Sequence, residues 1–160
     1  MTPAVNVAKK AKIDYRLHSY THDPSSASYG EEASEKLGVP PERVFKTLVV
    51  MIDAKQMAVA VIPVSSMLSM KHIAKAAGGK KAEMANGADV ERCSGYILGG
   101  VSPLGQKKRL KTFIDATAEH FPTIYVSAGR RGLEIELSSV DLMKLTDGMF
   151  AILGDIAKAK

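Results

Sequence analysis

The chain has 160 residues, 46% of them hydrophobic and 24% charged, with a formal net charge of +5, one cysteine and no tryptophan. That size fits one domain with a core of its own, and the mixed charge excludes a disordered chain. The lone cysteine excludes a disulfide scaffold, and no apolar run approaches the ~18–20 residues of a membrane span.

In chain order, Thr2 can cap a first helix running to Lys12, with Pro3 at the first helical position, where its missing N–H is no loss. Ile13 to Tyr20 alternates as a short strand. A turn at His22 to Ser26 leads through Ser28 to a helix over Gly30 to Leu37, closed by Gly38 and the Pro40-Pro41 pair. Val44 to Ile52 and Met57 to Val64 are β-branched runs joined by a four-residue polar loop, a hairpin signal. The first run is apolar on both faces, so it should be a covered, central strand. Met70 to Ala77 is helical in period and stops at Gly78-Gly79, and Ala82 to Arg92 reads as a strand fragment, an Asn86-Gly87 turn and a short helix.

Tyr96-Ile97-Leu98 reads as a strand running into a glycine-rich segment, and Thr112-Phe113-Ile114 as another. Thr123 to Ser127 and Leu133 to Leu137 form a second hairpin, and Ser138 or Ser139 caps a last helix. About seven short strands with interspersed helices predict a single α+β domain over residues 1–160, its mixed sheet curled like a barrel. The start, Met1-Thr2-Pro3-Ala4-Val5-Asn6, has no secretory apolar stretch, so the expectation is a cytoplasmic protein without a membrane partner.

Chemistry concentrates at few places. Lys46 shares the strand face of Leu48, Val50 and Ile52, where desolvation lowers a lysine's pKa; the other reading is a stem that snorkels to water. Thr47 faces the opposite way unless a bulge turns both residues into one cleft. Gly99 to Gly105 (GGVSPLG) follows an apolar run, and such glycines expose backbone N–H groups to anions or leave a tight turn. Gly100 and Gly105 have the separation of a phosphate-binding P-loop, but Gln106 stands where that motif needs lysine. A nucleoside triphosphatase is therefore disfavoured. His18, His22, His72 and His120 show no ligand spacing, so no metal site is expected. Cys93 reads as a small buried hydrophobe or a thiol tuned by Arg92, and Pro103 argues against Ser102 as an elbow nucleophile. The basic runs Lys107-Lys108-Arg109 and Arg130-Arg131 are either solvated surface or a phosphate-binding face.

The run Val44 to Val50 (VFKTLVV), the following MAVAV, GGVSPLGQKK from Gly99, and the pair Ile124 to Ser127 and Arg131 to Glu136 together closely resemble the bacterial YbaK family. Its members are freestanding relatives of the editing domain inserted in bacterial prolyl-tRNA synthetases. The likeness extends from Met1 to about Gly154 in the same order. It implies the editing-domain fold and hydrolysis of Cys-tRNA(Pro), with Cys-tRNA(Cys) as a further substrate and no cofactor. Aminoacyl-tRNA is the implied partner, in a ternary complex with prolyl-tRNA synthetase. The implied mechanism uses the substrate's own thiol, which attacks the ester carbonyl and leaves a thiolactone that water opens.

By the same resemblance Lys46 and Gly100 are the catalytic residues: Lys46 fixes the terminal adenosine and its ester, while backbone groups of Gly99 and Gly100 grip the reacting carbonyl. Tyr20, Tyr29, Thr47, Ser102, Ser127, Gly129 and Glu134 shape the substrate pocket, Tyr29 standing where the family carries phenylalanine. Lys107, Lys108, Arg109 and Arg130 meet acceptor-stem phosphates. Two alternatives stay open: a non-catalytic tRNA- or nucleotide-binding module, and a deacylase specific for Ala-tRNA(Pro).

Overall fold

The structure, a computed structural model, describes residues 1–26 and 29–155, and at Tyr29 the backbone alone. Ser28 and the Tyr29 side chain lie outside the described residues and atoms. The order is α1 (Pro3–Ala11), β1 (Tyr15–Ser19), α2 (Tyr29–Leu37), β2 (Phe45–Ile52), β3 (Gln56–Pro63), α3 (Met70–Ala76), β4 (Ala82–Met84) and α4 (Gly87–Ser94). There follow β5 (Lys111–Asp115), β6 (Ile124–Arg130), β7 (Leu133–Leu137), α5 (Ser139–Thr146) and β8 (Met149–Ala151). The caps are those that the side chains dictate: the hydroxyls of Thr2 and Ser138 accept from the Val5 and Asp141 N–H groups at 3.2 and 3.1 Å.

The expected barrel-like curl of about seven strands is not what forms. Among the described residues there are eight strands in two sheets, β1-β7-β6 and β4-β2-β3-β5-β8, and neither closes. The reason lies in the packing. Phe45 and Val49 of β2 and Val59 and Val61 of β3 bury against Ile124, Val126, Ile135 and Leu137, the inner face of the small sheet. The sheets therefore meet through side chains rather than a shared ladder. One isolated bridge, Val44 with Tyr125, joins them among the described residues.

The opposite face of the large sheet (Val50, Ile52, Ala58, Ala60 and Ile62) is covered by Ile73 and Ala74 of α3 and by Leu153. β2 is thus an interior strand with both faces covered, as its composition requires.

Tyr96-Ile97-Leu98 is not a strand. Gly95 and Gly99, at φ of 80° and 92°, bend the chain at either end of it. Within it the Leu98 N–H donates to Glu91 Oε2 at 2.9 Å, and the buried Tyr96 hydroxyl donates to the Leu104 carbonyl at 2.6 Å. Ile97 is left 78% exposed and Leu98 48% exposed.

Candidate active site

A short neighbour leaves an edge open. β4 pairs only with Val50, Met51 and Ile52, so Phe45 to Leu48 have a strand partner on the β3 side alone. The Val64 N–H donates to the Val44 carbonyl, and on the opposite side the Ala85 N–H donates to the Val49 carbonyl. Backbone direction alternates along an antiparallel strand, so the N–H and C=O of Phe45 and Thr47 point to the open side. A cleft of about 610 Å³ lies against that edge.

The edge explains why Lys46 and Thr47 both line the cleft. The β2–β3 register is continuous from Phe45 opposite Pro63 to Ile52 opposite Gln56, so no bulge is involved. Lys46 is partly buried, and desolvation holds its ammonium below the ordinary lysine range, against a smaller opposing pull from Glu31. Among the described residues the buried Thr47 hydroxyl has no hydrogen-bond partner. A buried polar atom left so is unusual in a packed protein.

The small sheet supplies the facing wall. Ser127 of β6 and Glu134 of β7 stand opposite one another in the ladder, and both reach the cleft. Glu134 is only 7% exposed, and burial pushes its carboxyl up to about 8. It is therefore largely a neutral acid at pH 7. The Ser127 hydroxyl donates to the Gly100 carbonyl at 3.2 Å and accepts from the Gly129 N–H at 3.1 Å. Tyr20 and Gly30 complete this side, and burial raises the Tyr20 phenol above its usual value.

Helix α2 is held beside the cleft by one carboxylate. Glu32 binds His22 Nδ1 at 2.6 Å, the Asp23 N–H at 2.8 Å and Lys36 Nζ at 3.3 Å. Gly30 is pressed so close to Val64 that a Cβ there would lie 2.3 Å from Val64 Cγ1.

The glycine-rich loop divides between roles. Gly99 and Val101 line the cleft. Gly100 is buried beneath the β6–β7 turn, where an added Cβ would lie 2.8 Å from Arg130 Cα. Its N–H donates to the Ile97 carbonyl at 2.9 Å. Ser102 is fully buried, and its hydroxyl accepts from the Leu104 N–H at 3.2 Å. Helix α1 clamps the end of this loop: a Cβ on Gly105 would lie 2.7 Å from the Pro3 carbonyl carbon.

Of the residues singled out by sequence, Tyr20, Lys46, Thr47, Gly99, Ser127, Arg130 and Glu134 converge on the cleft. Gly100, Gly129 and Arg130 line a neighbouring pocket of about 340 Å³. Lys108 and Arg109 lie on a separate depression, Arg109 paired with Asp147 at 3.0 Å, and Lys107 is exposed. Cys93 is buried in α4.

Sequence reasoning gave no role to Met84 and Leu98, two half-exposed apolar residues on the rim of the cleft. It read Arg131, another wall residue, only as half of a basic pair. An apolar Leu98 just before a glycine turn was the available signal.

The sequence pattern of the aminoacyl-tRNA editing domain matches residues 23–145. EbsC of Enterococcus faecalis (strain ATCC 700802 / V583), a protein named for Cys-tRNA(Pro)/Cys-tRNA(Cys) deacylation, is 39% identical over 150 residues, covering 94% of this chain and 91% of its own. YwhH of Bacillus subtilis (strain 168) is 26% identical over 131 residues, covering 82% of this chain and 83% of its own. Among solved structures, one described as a trans-editing enzyme for prolyl tRNA synthetase superposes with a TM-score of 0.81 at 18% identity, covering 97% of this chain and 99% of that one. The protein APE2540 superposes with a TM-score of 0.83 at 23% identity, covering 96% and 99%. At those identities the two superpositions speak to the fold.

Proposed function

The chain belongs to the aminoacyl-tRNA editing domain family, and from that premise we propose that it is a trans-acting deacylase that hydrolyses the ester of Cys-tRNA(Pro) and of Cys-tRNA(Cys). The whole of residues 1–160 is read as one editing domain. The observation that carries the mechanism is the chemistry of the cleft wall. It presents a partly desolvated lysine and a neutral carboxylic acid and, among the described residues, no activated protein nucleophile. Cys93 and Ser102 are buried away from it, and the Ser127 hydroxyl is engaged by Gly100 and Gly129.

Such a cleft suits a substrate that brings its own nucleophile. The cysteinyl sulfur attacks the ester carbonyl, the C–O bond to the ribose breaks, and the ribose oxygen leaves as a hydroxyl with the proton given up by the thiol. The resulting thiolactone adds water across its C–S bond and departs as cysteine. The protein's part is orientation and charge. Lys46 holds the phosphate or ribose of the terminal nucleoside, and Thr47, with an unpaired hydroxyl and edge-facing backbone groups, supplies hydrogen bonds to the ester or the amino acid. Gly100 acts by fixing the loop that carries Gly99, and Ser127 locks that loop to β6. Glu134, as a neutral acid, accommodates the aminoacyl group without a fixed charge.

Discrimination of cysteine from proline by pocket fit alone is modest, which is the chemical need for a second hydrolytic step. A deacylase that reads the end of the tRNA gains identity from a bound prolyl-tRNA synthetase, so a ternary complex in the cytoplasm is part of the proposal. Among the described residues no helix is long and apolar enough to cross a membrane. The test is deacylation of Cys-, Ala- and Pro-tRNA(Pro) and of Cys-tRNA(Cys), with and without the synthetase. Cleavage of both cysteinyl substrates, with selectivity for tRNA(Pro) rising when synthetase is added, is the expected result. Cleavage of Ala-tRNA(Pro) alone, or binding without cleavage, overturns the reading.

A further inference from the structure

Two pockets share one basic rim. The active-site cleft and the 340 Å³ pocket beside it are separated by Leu98, Arg130 and Arg131, which line both. The second pocket has a backbone floor. Gly95, Gly100 and Gly129 line it, and a Cβ at Gly129 would lie 2.7 Å from Tyr96 Cε1. Its outer wall is Ile97, an isoleucine 78% exposed on a segment too bent to join a sheet.

Arg130 is exposed, and among the described residues its guanidinium makes no hydrogen bond or ion pair. By contrast Arg43, Arg92 and Arg109 each hold a carboxylate. Beyond Gly95 the next side chain is that of the exposed Lys107, whose Cβ would lie 3.4 Å from a Cβ on that glycine.

We propose that the second pocket is a nucleotide subsite, taking the base and sugar that precede the ester-bearing terminal nucleoside, with the connecting phosphate held on the shared rim by Arg130. The inference rests on the deacylase reading for what occupies the first cleft. Its own support is the sequence of surfaces: cleft, cation, apolar wall beside three glycines, then another cation. A single-stranded RNA end offers the matching sequence: nucleoside, phosphate, nucleoside, phosphate. An apolar side chain and a guanidinium plane are surfaces against which any base can lie, so the subsite adds affinity with little choice of base. Both cavities also fall in the size range of small-ligand sites, roughly 300–1,000 Å³.

Binding of three probes that carry no aminoacyl ester tests this without depending on catalysis: adenosine, adenosine 5′-monophosphate and the dinucleotide CpA, titrated by NMR. The wild-type protein should bind the monophosphate more tightly than adenosine, and CpA about tenfold or more tighter than the monophosphate, the scale of one stacked base. Arg130→Gln should remove most of the first gain. Ile97→Ser, at an exposed position, should erase most of the second and leave the first. Equal binding of CpA and the monophosphate, or a CpA advantage unchanged in Ile97→Ser, overturns the subsite. A protein that binds CpA in the expected pattern but cleaves no cysteinyl ester keeps the subsite and loses the deacylase assignment. One that cleaves the ester but treats the two probes alike does the reverse.

Discussion

Glu134 stands opposite Ser127 in the β6–β7 ladder, so a buried neutral acid and the hydroxyl that fastens the Gly100 loop form one wall of the cleft. This pairing makes the wall sensitive to pH. The folded chain holds a proton on Glu134 up to about pH 8, whereas an unfolded glutamate releases it near 4.5. Between those values the native state binds more protons than the unfolded state, so this residue's contribution to stability falls as pH rises through the window. Glu134→Gln should flatten that fall and make the protein relatively more stable at pH 8 than at pH 5. Urea unfolding of both proteins at pH 5, 6.5 and 8 measures it; identical pH profiles would count against a buried acid.

Lys46 carries a charge that burial disfavours, so its removal should cost activity rather than folding. Lys46→Ala is expected to lose at least about a hundredfold in deacylation, roughly 2.7 kcal/mol at ~1.36 per decade. Thermal unfolding should change little. A full-speed Lys46→Ala enzyme would leave the lysine as a stem covering apolar surface.

Thr47 offers the opposite trade. Its hydroxyl is buried and unpaired, and such a group destabilises by about 1–3 kcal/mol. Thr47→Val keeps the shape and removes the orphan, so the protein should gain stability while deacylation slows. Loss of stability in Thr47→Val would show that the hydroxyl has a partner in the free protein.

Thiol attack and water attack part company on serine. With the substrate's sulfur as nucleophile, Ser-tRNA(Pro) should react at least about a hundredfold more slowly than Cys-tRNA(Pro), because a hydroxyl is far less ionised than a thiol of pKa about 8.5. Single-turnover rates at saturating protein remove binding differences. Cys93→Ser should keep most activity, since that thiol is buried in α4. Comparable rates for the two esters would point to an activated water instead.

Much of this was legible in the chain, for reasons that differ by element. The β2–β3 hairpin announces itself through two β-branched runs and a polar loop, and every pair from Phe45–Pro63 to Ile52–Gln56 follows. Whether the sheet closes or splits is decided by pairings such as Tyr15 with Leu137, which no local pattern encodes. Tyr96 to Leu98 looked extended because three apolar residues mimic a strand; the positive φ of the flanking glycines decided otherwise. β8 has three residues and leaves too little alternation to read. At the site, Lys46 stood out as a charge on an apolar strand face. The open edge that lets it share a cleft with Thr47 depends on β4 ending at Met84, a matter of strand length.

The distance along the chain between β1 and β7 also orders events in time. β2 and β3 are separated by a short turn and can pair as soon as both are made, whereas β1 must wait for a partner that begins at Leu133. Loop closure over that span is the slower step, since long-range pairing lags behind local pairing. During synthesis the strand that carries Lys46 and Thr47 therefore exists before Ser127 and Glu134 have a ladder to stand in. Until then the apolar inner face of that early hairpin is uncovered and prone to self-association. Pulsed hydrogen exchange during refolding should show protection on the local β2–β3 and β6–β7 hairpins before β1, whose pairing with β7 closes the longest loop.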